Sequence, residues 1–286
     1  MLDRTDLTII IVTFNNASFI EHTLNKLYEH LPNITLQVIV VDSASTDATR
    51  DIIRNKFPTI KLVQLKNNKG FAYANNLAIK NNASKYVLLL NSDVELVDNS
   101  IEKMLVFIKE GGDIGIVGPK LLNRDFSLQY SCRSFHDWST LLFELIDMQK
   151  WFPGVKYFRK YDMSWWAHDS PKEVDYVSGA AFLIKRDVID KIGLLDERYF
   201  MYVEEADFCK RAKNAGYKVI YYPHSVMIHY GGGSSDDVSF KKDLQLVKSR
   251  IYYYSKHYNI YWKSYIIILS LLYIFKRYLI KWIKYA

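Results

Sequence analysis

The densest chemistry in the chain closes a single apolar run. Tyr86-Val-Leu-Leu-Leu90 is followed by Asn91, Ser92, Asp93 and Glu95 with no glycine between them. The run predicts a strand buried on both faces. Asp93 and Glu95, two apart in extended chain, would then point the same way. Carboxylates at a strand end are the hard oxygen ligands that Mg²⁺ or Mn²⁺ takes, and such ions bridge to substrate phosphates. The plainer reading is that Asp93 only turns the chain. A second acidic group, Glu204, Glu205 and Asp207, precedes Lys210, Arg211, Lys213 and Gly216. Acids first and cations last complement the dipole of a helix. Crowded acids also raise one another's pKa, which suits a general base. His229 ends a β-rich run beside the glycines 231–233. It reads as a metal ligand or phosphate contact next to a closing lid, or the glycines serve only as a linker.

The segments that must position these groups alternate regularly. Thr8 to Asn15 is a β-branched strand, and Phe19, Ile20, Leu24, Leu27 and Leu31 keep helical spacing. Leu36 to Asp42 is a second buried strand, Ser43 to Asp47 a turn, and Ala48 to Phe57 a helix. Ile60 to Leu65 is a third strand and Phe71 to Asn81 another helix. Such alternation predicts an α/β chain whose mostly parallel sheet carries helices on both faces. Ligands then sit at the carboxyl ends of the strands, where Asn15, Asp42 and Asp93 converge. A dinucleotide fingerprint is disfavoured, because Thr13-Phe-Asn-Asn-Ala17 holds no glycine. Ser100 to Lys109 reads as a helix and Ile114 to Pro119 as an apolar segment. Val174 to Ile184 reads as one strand-like run, in which Gly179, Ala180 and Ala181 let a ligand approach closely. Lys218 to Tyr222 is a short strand ended by Pro223.

The 286 residues make one large domain or two small ones. Two cysteines, Cys132 and Cys209, give neither a disulfide framework nor zinc spacing, which favours a reducing compartment. No signal peptide is expected at the N-terminus. After Asp243 there are no acids but eight Lys or Arg. Removing these from the chain's 38 basic residues leaves 30 against 31 acidic ones, so the net charge of +7 lives in the tail. That distribution argues against nucleic acid and for an anionic membrane surface. Residues 132–171 lose periodicity and are aromatic-rich, as ordinary core or as an acceptor-binding or membrane-dipping excursion. In the tail, Tyr265 to Phe275 spans roughly 16 Å as helix, against a bilayer core of about 30 Å. Ile268, Leu272, Phe275, Leu279 and Trp282 share one helical face, and Arg277, Lys281 and Lys284 another. This predicts an amphipathic interfacial helix, the alternatives being a helix on the core or in a dimer interface.

Together these segments resemble the inverting glycosyltransferases of family 2, with the GT-A fold, and among them bacterial rhamnosyltransferase-like members. The resemblance rests on Thr13-Phe-Asn15, Val41-Asp-Ser-Ala-Ser-Thr-Asp47, Asn68-Lys-Gly70 with Asn75, and Leu90-Asn-Ser-Asp-Val-Glu95. It continues through Ser178-Gly-Ala-Ala181, Phe200 to Arg211, and His229-Tyr-Gly-Gly-Gly-Ser-Ser235. The match runs from about Thr8 to Ser235 and implies a catalytic domain over residues 1–235, while the basic, aromatic pattern of 236–286 predicts membrane-association helices. It also implies that Thr13, Asn15 and Asp42 hold the nucleotide, with Asp42 facing base or ribose. Lys69, Gly70 and Asn75 line the donor side, and Ser45, Ser92, Gly179 and Ala180 join the donor site from the matching motifs. Asp93 and Glu95 stand where the family has its Asp-x-Asp metal motif, and His229 matches a third contact to Mg²⁺ or Mn²⁺. Glu95 is longer by one methylene and reaches the ion directly or through water. The family's base falls on Glu205, with Glu204 and Asp207 close enough to take the role.

The implied reaction moves L-rhamnose from dTDP-L-rhamnose onto a lipid-linked glycan in surface polysaccharide synthesis. A UDP-sugar, galactofuranose or an N-acetylhexosamine, is the alternative donor. The expected location is cytoplasmic, on the inner face of the cell membrane, and a homodimer is compatible with the tail. A non-catalytic nucleotide-sugar- or glycan-binding subunit is the rival class. The presence of Asp93, Glu95, Glu205 and His229 together argues against it.

Overall fold

The computed structural model describes residues 5–152, 154–231 and 240–285. The first third alternates strictly: β1 (Leu7–Thr13), α1 (Ile20–Glu29), β2 (Leu36–Asp42), α2 (Thr49–Lys56), β3 (Lys61–Gln64), α3 (Phe71–Lys80) and β4 (Tyr86–Asn91). Then come β5 (Val94–Leu96), α4 (Ser100–Glu110), β6 (Ile114–Leu122), β7 (Leu128–Gln129) and β8 (Cys132–Arg133). Helices α5 (Trp138–Ile146) and α6 (Met148–Trp151) and a 3₁₀ turn at Lys156–Arg159 carry the aromatic segment. The chain continues with β9 (Lys172–Glu173), β10 (Tyr176–Val177), β11 (Ala181–Lys185), α7 (Arg186–Ile192), α8 (Glu204–Asn214) and β12 (Lys218–His229). The tail is α9 (Phe240–His257) and α10 (Ile260–Tyr285).

The main sheet has the order β3-β2-β1-β4-β11-β6-β12-β5. β1 lies between β2 and β4 and is parallel to both, with Thr13 opposite Asp42 and Val12 opposite Asn91. That register aligns three carboxyl ends, which is what brings the strand-end polar residues to one crevice. β11 is antiparallel to both β4 and β6, and β12 is parallel to β6. The β-branched and leucine runs are buried on both faces, as expected. Ile9 and Ile11 join one core beneath α1, α2 and α4, and Ile10 joins the other beneath α3, α7 and α8. Each such side chain contributes about 1.5–3 kcal/mol on burial.

Two expectations about strands are corrected. The run Val174 to Ile184 is not one strand. β10 pairs with β8 in a separate two-stranded sheet, and β11 joins the main sheet. The break falls at Ser178-Gly-Ala180, where small residues bend at little steric cost. Pro223 does not end its strand either. β12 continues to His229 through a register shift between Tyr222 and Val226, an irregularity that accommodates a residue with no N–H to donate.

The tail folds back onto the aromatic segment. Tyr253, Tyr254, Ile266 and Leu269 belong to the same buried cluster as the sheet face under α8. The Tyr254 hydroxyl donates to the Asp137 carbonyl (2.8 Å), Tyr258 to the His136 carbonyl (2.6 Å), and Lys276 reaches the Asp147 carboxylate (2.6 Å). The outer side of α10 leaves Ile268, Leu271, Leu272, Phe275 and Leu279 exposed. The side chains of Lys281, Trp282 and Lys284 and the glycine-rich segment from 232 onward lie outside the described residues. No helix among the described residues is long and apolar enough to cross a membrane.

Candidate active site

The donor side is built by hydrogen bonds between the loops that leave β1, β2 and β4. Asn15 and Ala44 both take left-handed backbone conformations, φ 48° and 69°. The Asn15 amide donates to Ser45 Oγ (2.9 Å), and Asn15 Oδ1 accepts from the Thr46 amide (2.7 Å). Asp42 is fully buried, accepts from the Ser45 amide at 3.1 Å and lies 3.6 Å from Arg50. Arg50 also donates to the Ser45 carbonyl. A cleft of about 450 Å³ opens beside Ala44, Ser45, Thr46, Arg50 and Gln64. Asn16 Nδ2 donates to Ser92 Oγ (2.6 Å) and to its carbonyl (2.9 Å), which fixes the loop before Asp93. Thr13 is buried, and its hydroxyl has no partner among the described residues.

Gly70 is held by contact as well as by conformation. Its φ is 91°, and a Cβ there would lie 2.2 Å from the Phe200 carbonyl oxygen, which accepts the Phe71 amide at 2.8 Å. This ties the start of α3 to the segment before α8. Lys69 is exposed beside Tyr73, and Asn75 is buried with Oδ1 unpartnered.

Asp93 and Glu95 do not point the same way. A turn at Ser92–Asp93 interrupts the extended chain, so the period of two fails across it. Asp93 Oδ1 lies 3.3 Å from His229 Nε2. Glu95 instead accepts from Tyr230 OH (2.5 Å) and meets His22 Nε2 (2.8 Å). Burial acts to raise the Glu95 carboxyl, but the bonds from His22 and Tyr230 prevail and hold it below the ordinary range. Asp93, Glu95 and His229 form no three-ligand cluster among the described residues.

The donor set at Asp93 and His229 nevertheless fits a divalent cation. Gln129 Nε2 donates to the His229 carbonyl (3.2 Å) and to Asn123 Oδ1 (2.8 Å), so Gln129 Oε1 is the atom facing His229 Nδ1 at 2.7 Å. Nδ1 therefore carries the proton, and Nε2 is an acceptor that lies 3.3 Å from the Asn91 side-chain amide nitrogen and 3.3 Å from Asp93 Oδ1. Two acceptors at that distance, with the imidazole oriented through its other nitrogen, are what a metal-binding pair requires.

The acidic trio separates by environment. Asp207 is fully buried and bonded to His257 Nε2 (2.7 Å), Lys256 Nζ (2.6 Å) and Arg211 Nε (2.9 Å). Burial acts to raise its carboxyl, and these three partners hold it below the usual range. It locks α8 to α9. Glu204 is buried, with one oxygen unpartnered. Burial, then the neighbouring Glu205, pushes it well up. Glu205 is half-buried, and no side chain among the described residues hydrogen-bonds or ion-pairs with its carboxyl. Burial raises it, against its own and Val203's backbone and the charge of Arg133. Its Cβ lies 3.9 Å from where a Cβ on Gly179 would be, and the Ala180 carbonyl accepts the Asn91 amide (2.9 Å). Glu205 and the Asp93 loop therefore flank one short bridge, Gly179–Ala180. Tyr202 and Val203, just ahead of the trio, both have φ 72°. For a β-branched valine that is a true outlier, the kind of strain found at working sites.

Sequence reasoning missed Asn16, Arg50, Gln129 and Arg133. Asn16 lies within the Thr13-Phe-Asn-Asn stretch and was open to notice. The others act through partners 5 to 100 residues away.

Comparison with known proteins accords with this geometry. The family model described as "Glycosyl transferase family 2" matches residues 8–193. The low-salt glycan biosynthesis hexosyltransferase Agl10 of Haloferax volcanii is 28% identical over 217 residues, 74% of this chain. The chain spans 62% of that relative's length. An N-acetylglucosaminyl-diphospho-decaprenol L-rhamnosyltransferase of Mycobacterium tuberculosis is 24% identical over 245 residues, 80% of this chain and 77% of that protein. Among solved structures, the mannosyltransferase PcManGT from Pyrobaculum calidifontis, in complex with GDP-Man and Mn²⁺, shares the fold with TM-score 0.60 at 18% identity. That match covers 95% of this chain and 70% of the other. The chain has the GT-A fold and belongs to glycosyl transferase family 2, and the protein is a glycosyltransferase.

Proposed function

We propose that the protein transfers L-rhamnose from dTDP-L-rhamnose to a lipid-linked saccharide, with inversion at the anomeric carbon. The rhamnosyltransferase relative supports the sugar and the lipid diphosphate acceptor. Asp42, Ser45 and Arg50 form the rim that receives the nucleotide. Asp93 and His229 would hold a Mg²⁺ or Mn²⁺ ion, which when bound neutralises the diphosphate as a Lewis acid. Glu205 accepts the proton of the acceptor hydroxyl, whose oxygen bonds to the anomeric carbon as the bond to the diphosphate oxygen breaks. One displacement needs no covalent enzyme intermediate, and both cysteines are buried with their thiols pushed up by burial. The observation that carries this reading is the contrast within the trio: Asp207 is triply bonded, Glu204 is buried, and Glu205 stands without a side-chain partner beside Gly179.

The test is transfer from dTDP-L-rhamnose, UDP-galactose, UDP-galactofuranose and UDP-N-acetylglucosamine, with Mn²⁺ or EDTA, to a prenyl diphosphate-linked N-acetylglucosamine. Preferred turnover of the rhamnose donor, lost in EDTA, is expected. Preferred turnover of a UDP-sugar would replace the donor and leave the rest intact. The same reading puts the apolar face of α10 on an anionic bilayer, because the chain beyond Asp243 has only basic charges. Sedimentation with anionic vesicles at physiological salt should carry the protein down. A dimer that ignores vesicles would assign that face to a second copy.

A further inference from the structure

A cavity of about 300 Å³ lies away from the nucleotide rim, between β8 and the aromatic segment. Tyr130, Arg133, Phe143, Gln149, Phe158 and Tyr161 contribute to its wall. Arg133 is the group that needs explaining. It is half-buried on β8, opposite Tyr176 of β10, and its Nη1 donates to the Tyr161 hydroxyl at 3.3 Å. Its guanidinium also faces the Tyr161 ring at 5.4 Å. No carboxylate among the described residues lies within ion-pair distance of it.

The other charged groups on the wall are engaged elsewhere. Glu144 pairs with Arg250 at 3.0 Å, Lys160 pairs with Asp137, and Asp162 accepts from Ser164 Oγ at 2.7 Å. A guanidinium has five donors and cannot shed its charge. Held partly out of bulk water with no carboxylate paired to it, it keeps donors that an anion would complete. The cavity supplies the room.

Its two ends differ. On the inner side, β8 pairs with β10, which packs against α8, the helix that carries Glu205, and the Arg133 charge is felt at that carboxyl. On the outer side the wall becomes aromatic. Phe158 packs against Phe143 at 4.9 Å and Phe152 at 5.5 Å, and Trp151 is 75% exposed just beyond. Lys276 of α10 donates to the Leu145 carbonyl, which joins this rim to the helix with the exposed apolar face.

We propose that Arg133 binds the diphosphate of a prenyl-diphosphate-linked acceptor, with the prenyl chain leaving over Phe143, Phe152 and Phe158 toward the membrane face. This rests on the lipid-linked acceptor of the proposed function and names the residue and cavity that receive it. The guanidinium fork matches phosphate oxygens, and a base next to it meets the sugar that the diphosphate carries.

The test is binding of farnesyl diphosphate, farnesol and inorganic diphosphate in EDTA, followed by tryptophan fluorescence. EDTA removes the cation through which Asp93 and His229 would take a diphosphate. Wild type should bind farnesyl diphosphate at least tenfold more tightly than farnesol or inorganic diphosphate. Arg133→Gln should lose at least tenfold of that affinity, and Arg133→Lys should restore part of it. Melting temperature checks that each variant is folded. Equal affinity in wild type and a folded Arg133→Gln would overturn the proposal. So would farnesol binding as tightly as its diphosphate, or inorganic diphosphate competing at equal strength, which would mark a free-phosphate site. Arg133-dependent binding in a protein that transfers no sugar to such lipids would overturn the acceptor assignment of the proposed function and leave the anion site standing.

Discussion

The two sides of the crevice are constructed differently. The side formed by β1, β2 and β4 uses short loops, and its polar groups are fixed by backbone amides and carbonyls close to strand ends, as with Asn15, Ser45 and Asp42. The opposite side joins segments far apart in the chain through aromatic rings and buried charges, as where Asp207 meets Lys256 and His257. The first side is set by the register of a parallel sheet and suits a feature all donors share, the nucleotide diphosphate. The second is set by side-chain packing and is open to variation with the acceptor. On the proposed function, recognition of the common part would be built into the main chain, and recognition of the variable part into replaceable side chains.

The largest effect that would test this division is on turnover. Asp93→Ala on one side and Glu205→Gln on the other should each lower kcat by about 10²–10⁴. If Glu205→Gln retained full transfer, the base would have to be sought elsewhere in the trio. Next is stability. Asp207→Ala leaves Lys256, Arg211 and His257 without their buried carboxylate and should destabilise by about 3–5 kcal/mol, read by chemical denaturation. Because its folded pKa is depressed, the stability Asp207 provides is present above its unfolded pKa of about 3.9 and is lost as pH falls through the lower folded value. An Asp207→Ala variant of unchanged stability and abolished turnover would make Asp207 chemical rather than structural.

A pH profile sharpens the same contrast. A base works ionised, and Glu205 is pushed up by burial, with Glu204 beside it on α8, Arg133 facing it from β8, and Tyr176 and Cys209 near it. The acid limb of kcat/KM should therefore lie above the ordinary Glu value of about 4.3. A limb at or below that value would point to a different group. The smallest change in stability is expected on α10. Leu271→Lys, at a side chain 60% exposed, should shift stability by no more than about 0.5 kcal/mol. It should still weaken vesicle binding about tenfold, since an inserted leucine contributes about 1.5–3 kcal/mol. Unchanged vesicle binding would remove α10 from the membrane face.

The parallel half was legible because periodicity is local. Runs such as Thr8 to Thr13 and Leu36 to Asp42 declare themselves as buried strands, and the strand-end polar residues follow. The direction of Glu95 was not legible. It depends on a two-residue turn and on pairing of β5 with β12, where Glu95 sits opposite Ile228 from the far end of the chain. The trio was legible as a group but not as individuals, because what separates Asp207 from Glu205 is the arrival of His257 about 50 residues later. The split at Ser178–Ala180 was hidden for a related reason, since small residues fit a strand and a bend equally well. Arg133 carried no signal at all: one arginine in an aromatic stretch becomes notable only when no carboxylate is found at ion-pair distance from it.

Lys256 and His257 complete Asp207, and Asp207 belongs to the helix that carries Glu205. A chain emerging from the ribosome N-terminus first can therefore form its nucleotide-facing strands early. It cannot lock the helix bearing the base until residues 256 and 257 have been made. On the proposed assignment, a chain cut before residue 256 would hold formed β1, β2 and β4 beside an α8 whose Asp207 lacks Lys256 and His257, and it should transfer no sugar.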